Sequence, residues 1–323
     1  MTAKSTFTSK EYNHKNFLPR GPFCQQEELM QLRFQAKSLK LRRRKKSLSL
    51  LMGPNKTSFR GRGIDFEEVR KYQAGDDIRT IDWRVTARSG KPYTKLFQEE
   101  RERPVLIATD QRQVMFFGSQ HCFKSVTAAH VSALLAWSSF QNSDRVGSLV
   151  FNEDNQIETR PRCSRQAVLR QLHNIADYNN QLSVSEPTNA NFKFFELLQD
   201  LRRITRPGTA VYIVSDFSGA EHELTQETIY QLSRHAEITA IHISDPLEAT
   251  LPPNGQYVIT NGFNRKSIFT GNKVLRARYE SNYISNFNKL HTKFSRLGIP
   301  FITINTSDSP LQILQTFYGE SKY

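Results

Sequence analysis

The sequence predicts an α/β fold built on a doubly wound, mostly parallel sheet, preceded by a basic helical arm and a β-rich insert. Three apolar runs, residues 105–109, 211–215 and 238–244, are short, β-branched and largely unalternated. That is the pattern of strands buried on both faces of a parallel sheet. Each run ends in an aspartate, Asp110, Asp216 or Asp245. An acid at the carboxyl end of such a strand lies in the crevice where open α/β sheets bind ligands.

The remaining elements follow in order. Leu29, Leu32, Ala36 and Leu39 give residues 27–40 a partial helical stripe, and Gly53-Pro54-Asn55-Lys56 marks a turn. Residues 58–103 are densely charged, with Tyr72, Trp83 and Tyr93 as anchors, and predict short strands and loops. Cys122, Val126, Ala129, Ala133, Trp137 and Phe140 recur on one helical face and predict a helix covering the first strand. A second strand spans 145–151, with 156–160 as its hairpin arm. Ser164 is placed to cap a helix over 165–178, and Pro207-Gly208 stops a helix over 191–206. A helix over 221–235 joins the second and third aspartate-ended strands. A hairpin over 256–271, a helix over 275–297 ended by Gly298 and Pro300, and a strand at 301–304 complete the alternation, with right-handed crossovers. The expected boundaries are a basic arm at 1–57, the charged segment at 58–103 and the α/β domain at 104–323.

No run approaches the ~20 apolar residues of a membrane helix, and the first twenty residues lack the apolar stretch of a secretory signal. Cys24, Cys122 and Cys163 are scattered and odd in number, which argues against a disulfide frame or a paired-cysteine zinc site and for a reducing compartment. A soluble, cytoplasmic protein is expected. The net charge of +14 is uneven: the first 62 residues hold eight Lys and seven Arg against three Glu. The acid-free run 37–62 offers a face to an acidic protein, a phosphate backbone or anionic lipid. No base-stacking aromatics interleave it, so nucleic-acid or anionic-surface binding is the alternative function and not the first. His-x-x-x-His and Cys-x-x-Cys pairs and a Gly-x-Ser-x-Gly elbow are all missing, and neither a catalytic set nor a cofactor is predicted. His130 and His173 read as packing residues on helices. Cys122 opens a helix, a position that lowers a thiol pKa.

The densest motif is Arg60-Gly61-Arg62-Gly63-Ile64-Asp65-Phe66-Glu67-Glu68-Val69-Arg70-Lys71-Tyr72-Gln73-Ala74-Gly75-Asp76-Asp77-Ile78-Arg79-Thr80-Ile81-Asp82-Trp83, with Arg84, Arg88 and Glu100 after it. Gly75 permits a turn in which Asp76 or Asp77 accepts from backbone N–H groups. Arg70, Arg79, Arg84 and Arg88 offer forked donors to Asp65, Glu67, Asp82 and Glu100, which makes an ion-pair lattice the first reading. A metal-dependent hydrolase built on Asp76, Asp77 and Asp82 is a rival. Gly61 and Gly63 are no phosphate loop, since the following Lys-Ser/Thr is missing. Together with Lys95-Leu96-Phe97, Asp144-Arg145-Val146-Gly147, Ser215-Asp216-Phe217 and Ser244-Asp245-Pro246-Leu247-Glu248, the motif resembles the domain of unknown function 58 family, von Willebrand factor A-like proteins associated with MoxR-type AAA+ ATPases.

The resemblance implies a von Willebrand A-like fold and a non-enzymatic adaptor that brings an unknown client protein to a MoxR-type ATPase. It also implies the position of a metal-ion-dependent adhesion site, whose first loop reads Asp-x-Ser-x-Ser. Here that loop reads Asp110-Gln111-Arg112-Gln113-Val114, so both hydroxyl ligands are lost. Asp216 matches the later aspartate, and Thr188 is the nearest threonine. Valine cannot ligate a cation and a guanidinium repels one. No bound metal is therefore predicted; instead Arg112 takes the ion's place beside Asp110 and Asp216. Asp110, Arg112, Val114, Asp216 and Asp245 are expected to converge on a docking surface at the sheet's carboxyl edge.

Overall fold

The computed structural model describes residues 18–41, 64–73, 78–99, 102–182, 190–260 and 265–319, within two units, one of residues 1–43 and 103–323 and one of 44–102. The first described helix is α1 (Gln26–Gln31), followed in the smaller unit by β1 (Ile64–Lys71), α2 (Trp83–Ser89) and β2 (Tyr93–Glu99). The larger unit continues with β3 (Pro104–Asp110), α3 (Lys124–Gln141), β4 (Arg145–Phe151), β5 (Gln156–Arg162), α4 (Arg165–Gln181), α5 (Ala190–Ile204) and β6 (Ala210–Ser215). Then come α6 (Glu223–Ser233), β7 (Glu237–Ser244), α7 (Pro246–Ala249), β8 (Gln256–Thr260) and β9 (Arg265–Phe269). It closes with α8 (Lys273–Arg296), β10 (Phe301–Asn305) and α9 (Pro310–Tyr318).

The central sheet runs β10-β7-β6-β3-β4-β5, parallel throughout except for β5, which returns antiparallel to β4. From β3 the chain passes to β4 on one side and later crosses to β6 on the other, so β3 and β6 are neighbours at the point where strand order reverses. Connections leaving two such strands diverge to opposite faces and open a crevice between their carboxyl ends. Side chains alternate accordingly. Val105 and Ile107 pack under α3, α4 and α9, while Leu106 and Ala108 pack under α5, α6 and α8.

Helix α3 decides how the first of these layers is built. Its residues from Lys124 to Ser139 are buried without interruption, the small polar Ser125, Thr127, Ser132, Ser138 and Ser139 along with Ala128, Val131, Leu134 and Leu135. A helix buried on every face needs cover on both sides. The sheet supplies one and residues 18–41 supply the other: Leu29, Leu32, Ala36, Leu39 and Leu41 join the same core. The Trp137 indole N–H donates to the Leu29 carbonyl at 3.1 Å, and the Ser138 hydroxyl donates to the Leu39 carbonyl at 2.9 Å. The N–H of Lys40 then reaches the Tyr318 carbonyl at 2.8 Å, joining the segment to α9.

Two differences from the sequence reading follow. The described part of the basic arm belongs to the α/β body rather than to a separate segment ending at 57, and its helix is only α1 plus a 3₁₀ turn at Ala36–Ser38. Within 58–103 the antiparallel pair β1–β2 is joined through α2, which short strands and loops did not anticipate. Asp82 starts that helix by accepting from the N–H groups of Arg84 and Val85, and Gly90, at φ +66°, ends it. The basic run 42–62, the turn at 53–56, Thr188, and the signature residues Arg60, Gly63, Gly75, Asp76, Asp77 and Glu100 lie outside the described residues.

Leu29 tests whether the arm is part of the core. Leu29→Ala is expected to lower the unfolding free energy by about 2–5 kcal/mol. Urea denaturation measures this, and a loss within ~0.5 kcal/mol, the range of surface substitutions, would contradict it.

Candidate functional site

Asp110, the last residue of β3, is wholly buried, and so is Arg112 two residues on. The guanidinium turns back on the carboxylate: Nη2 lies 2.7 Å from Oδ2, and Nε lies 3.0 Å from Oδ1 and 3.1 Å from Oδ2. Asp110 also accepts from the Arg112 backbone N–H at 2.9 Å and from the Ser215 hydroxyl, at the end of β6, at 2.6 Å. Phe194 and Phe151 cover the guanidinium, their ring centroids 5.1 and 5.8 Å from Cζ.

From this pair a line of alternating charge crosses the crevice. Arg112 Nη2 stands 3.6 Å from Asp216 Oδ1. Asp216 Oδ2 receives the Lys124 ammonium at 2.9 Å, and the same ammonium reaches Glu248 Oε1 at 2.7 Å. The order is therefore Asp110, Arg112, Asp216, Lys124, Glu248, with every sign opposite to its neighbour's. The turn after β6 is shaped for this. Phe217 sits at φ +58°, a left-handed conformation that costs a non-glycine residue free energy, and its N–H bonds to the Ser215 hydroxyl. The turn lets the Ser218 N–H bond to Asp216 at 2.9 Å and aims the Ser218 carbonyl at Arg112 Nη1, 3.1 Å away.

Titration follows this arrangement. Burial alone raises the Asp216 carboxyl, but Lys124 and Arg112 outweigh it and hold the group below the ordinary carboxylate range. Burial likewise lowers Lys124, and Asp216 with Glu248 more than restores it. For Arg112 burial is again outweighed, here by Asp110 first. For His242, on β7 beneath Phe217 and Phe301, burial wins. Burial, with Lys124 adding to it and Asp216 opposing, takes it from 6.5 down to about 4.

Asp245 is buried but serves a different purpose. It caps α7 through the Leu247 N–H and accepts from the Ser119 N–H at 2.9 Å and the Thr306 hydroxyl at 2.6 Å. The expected convergence of Asp245 with Asp110 and Asp216 is replaced by Glu248, one turn further along, which joins them through Lys124. Val114 is half-buried and packs against the core. Because Asp110, Arg112 and Asp245 have no exposed area, they cannot themselves form a contact surface. Among the exposed groups at this edge are two aromatics: Phe117 in the loop from β3 to α3 and Phe23, whose ring centroid is 5.5 Å from that of Phe116. Lys124 escaped the sequence reading, although a lysine opening a helix with no other Lys, Arg, Asp or Glu was its signal.

The donor set does not fit a divalent cation. Both oxygens of Asp110 are taken by a guanidinium and a hydroxyl, Val114 offers no oxygen, and an ammonium holds Asp216.

Other expectations change as well. The thiol of Cys122 is pushed up to about 11 by burial rather than lowered, since α3 starts two residues later. His173 lies on the solvent face of α4, paired with Asp177, whereas His130 is buried against Glu28 at 3.1 Å. In the smaller unit Asp65 and Phe66 lie on β1, Arg70 donates to the Lys71 carbonyl, and Tyr72 is half-buried. Arg79 and Arg88 are exposed, and Trp83 is exposed rather than an anchor.

The family model described as protein of unknown function DUF58 matches residues 68–288. The uncharacterized proteins Mb1516 of Mycobacterium bovis and Rv1480 of Mycobacterium tuberculosis are each 27% identical over 223 residues, 69% of this chain and 68% of theirs. Among solved structures, BatB from Bacteroides thetaiotaomicron is 16% identical at a TM-score of 0.39, over 67% of this chain and 97% of its own. An aerotolerance-related membrane protein from Bacteroides fragilis is 14% identical, also at 0.39, over 66% and 96%. An uncharacterized membrane spanning protein from Vibrio fischeri is 16% identical at 0.21, over 67% and 98%. The expectation of a cytoplasmic protein is withdrawn, since two of these structures are described as membrane proteins. What stands is that no described helix is long and apolar enough to cross a membrane.

Removing one charge from the line strands its neighbour. Arg112→Met is expected to cost about 3–5 kcal/mol by urea denaturation. Adding Asp110→Asn should recover part of that loss, and an additive double variant would contradict the pairing. His242 sets a pH dependence. An unfolded histidine takes up a proton below 6.5 while the buried one resists to about 4. The unfolded chain therefore binds more protons in that window, and stability falls as pH falls through it. The contribution is about 3 kcal/mol, so His242→Phe should flatten the curve between pH 7 and pH 4.

Proposed function

This chain belongs to the family of proteins of unknown function DUF58, and we propose that it is a non-enzymatic protein-interaction module whose carboxyl sheet edge docks a MoxR-type AAA+ ATPase. The observation that carries the reading is the closed line of charge at the strand-order reversal. Open α/β sheets place ligand chemistry there, yet here each acid and each base is engaged by another protein group. No free nucleophile, general base or open coordination position remains among these residues, which favours a rigid recognition scaffold over a reaction site. On this reading the α/β unit is von Willebrand A-like and its metal position has been rebuilt from protein cations. Arg112 and Lys124 together supply two positive charges between the carboxylates, the charge that a divalent ion would bring.

With the buried groups closed to a partner, contact falls to the surrounding loops. Phe117 is 41% exposed and Phe23 39%, and exposed aromatic rings set among polar loops are the side chains that dominate protein interfaces. The choice of a MoxR-type ATPase rests on the resemblance carried by the charged signature and the strand-end motifs.

The test is affinity capture of the ATPase by the full chain. Phe117→Asp should weaken capture roughly tenfold or more, and chelator should leave it unchanged. Capture lost in chelator, or a hydrolytic activity that persists through purification and fails in Asp82→Asn, would overturn the proposal. The rival reading, nucleic-acid binding through the basic run, predicts steep salt dependence that is lost when residues 42–46 are changed to glutamine.

A further inference from the structure

The β8–β9 hairpin stands apart from the central sheet, as a two-stranded unit among the described residues. Such a pair is marginal alone, and this one is fixed at its base. The Thr270 hydroxyl bonds to the Pro253 carbonyl at 2.7 Å and accepts from the Gly255 N–H at 3.0 Å. Arg276 Nη1 donates to the Pro252 carbonyl at 2.7 Å and Nη2 to the Leu251 carbonyl at 3.2 Å. Tyr279 reaches back to the Leu247 carbonyl at 2.9 Å. The hairpin and the first turns of α8 therefore form one built element, rooted through α7 at the carboxyl edge.

This element displays apolar side chains to solvent. Val258 is 65% exposed and Phe269 60% on the hairpin, and Val274 78% and Leu275 40% on the first turn of α8. In the antiparallel register Val258 faces Ser267 and Gln256 faces Phe269, so Val258 and Phe269 share one side of the hairpin. Exposed apolar groups gathered on one element mark a contact site.

Its charge is one-sided. Between Glu248 and Glu280 the sequence carries Arg265, Lys266, Lys273, Arg276 and Arg278 and no acidic residue. Arg265, Lys266, Lys273 and Arg278 are exposed, and only Arg276 is drawn into the hairpin base. Valine, phenylalanine and leucine presented among unopposed cations are the composition of an interfacial anchor. The apolar groups enter the acyl boundary while the cations meet anionic headgroups. A lysine or arginine held at such a surface strengthens attachment about fivefold.

We infer that the β8–β9 hairpin and the amino-terminal turns of α8 form a peripheral membrane-binding element for anionic phospholipid. Charge complementarity selects this occupant, and the exposed apolar groups give it depth. The assignment is separate from the ATPase reading, which uses the aromatic loops and would stand without it.

The experiment is sedimentation of the full chain with phosphatidylcholine vesicles, with and without phosphatidylglycerol. Binding is expected only to the anionic vesicles. The triple variant Val258→Ser/Phe269→Ser/Val274→Ser keeps every charge, including the basic amino-terminal run, and its partition coefficient should fall roughly tenfold or more. Arg265→Glu/Lys266→Glu/Lys273→Glu should abolish binding at moderate salt. In Phe269→Trp, brominated acyl chains should quench fluorescence beyond the quenching seen in the unsubstituted chain. Undiminished binding of the triple serine variant would overturn the inference, because attraction through the basic run would then suffice. Equal binding to neutral vesicles, or no extra quenching, would overturn it as well. These side chains are exposed, so unchanged thermal unfolding should accompany each variant.

Discussion

The salt bridge between Arg112 and Asp110 is the constraint on which the rest of the larger unit depends. A single pair at 2.7 Å, in a medium of effective dielectric near 20, attracts by about 6 kcal/mol. Desolvating the two ions costs several kcal/mol each, so the pair alone is close to neutral. What makes it persist is the company it keeps. Asp110 has backbone and hydroxyl donors in addition to the guanidinium, and Arg112 has the Ser218 carbonyl and two aromatic faces. Such a line contributes little net stability and a great deal of definition. The arrangement of the loops after β3 and β6 that satisfies all five charges includes the left-handed Phe217.

The same economy explains the layer around α3. A helix buried on every face can be accommodated only where something covers its outer side, and the chain uses residues from its own amino-terminal region for this. Cover at that position also fixes the start of α3, where Lys124 must be held in register with Asp216. The N–H of Gly21 bonds to the His121 carbonyl at 2.8 Å and that of Phe123 to the Gly21 carbonyl at 3.2 Å, immediately before Lys124. Residues far apart in sequence thus set the geometry of the buried charges.

Much of this was legible in the sequence wherever a local pattern determines structure. The unalternated strands, the Ser164 cap and the helix stop at Pro207-Gly208 depend on nearest neighbours and sit within a few residues of where periodicity put them. The nearness of Arg112 to Asp110 was legible for the same reason, as two positions in one loop. What escaped depends on distant packing. Helical spacing marks one face of α3, but nothing within 124–141 says that residues 18–41 will cover the other. Lys124 and Glu248 are 124 positions apart and meet only because the sheet places the ends of β3 and β7 on either side of β6. The assignment of Asp245 to the crevice failed on direction. Its carboxylate turns to Ser119, Thr306 and the start of α7, leaving Glu248 to face Lys124.

The far end of the charge line shows why so costly an arrangement is of use beyond the crevice. Glu248 accepts from Lys124 with one oxygen and from the Asp245 N–H, at 2.9 Å, with the other, so it closes the capping box of α7 as well. Helix α7 has only four residues and would not persist by its own hydrogen bonds. Its position is fixed by that carboxylate and by the Tyr279 contact from α8. From α7 the chain runs directly into residues 251–253, whose carbonyls hold Arg276 and Thr270 and with them the base of the β8–β9 hairpin. The exposed, acid-free element is therefore anchored mechanically to the buried charges. An apolar filling of the crevice would pack as well and cost less, but it would remove the Lys124–Glu248 link that ties α7, and with it the hairpin base, to the crevice.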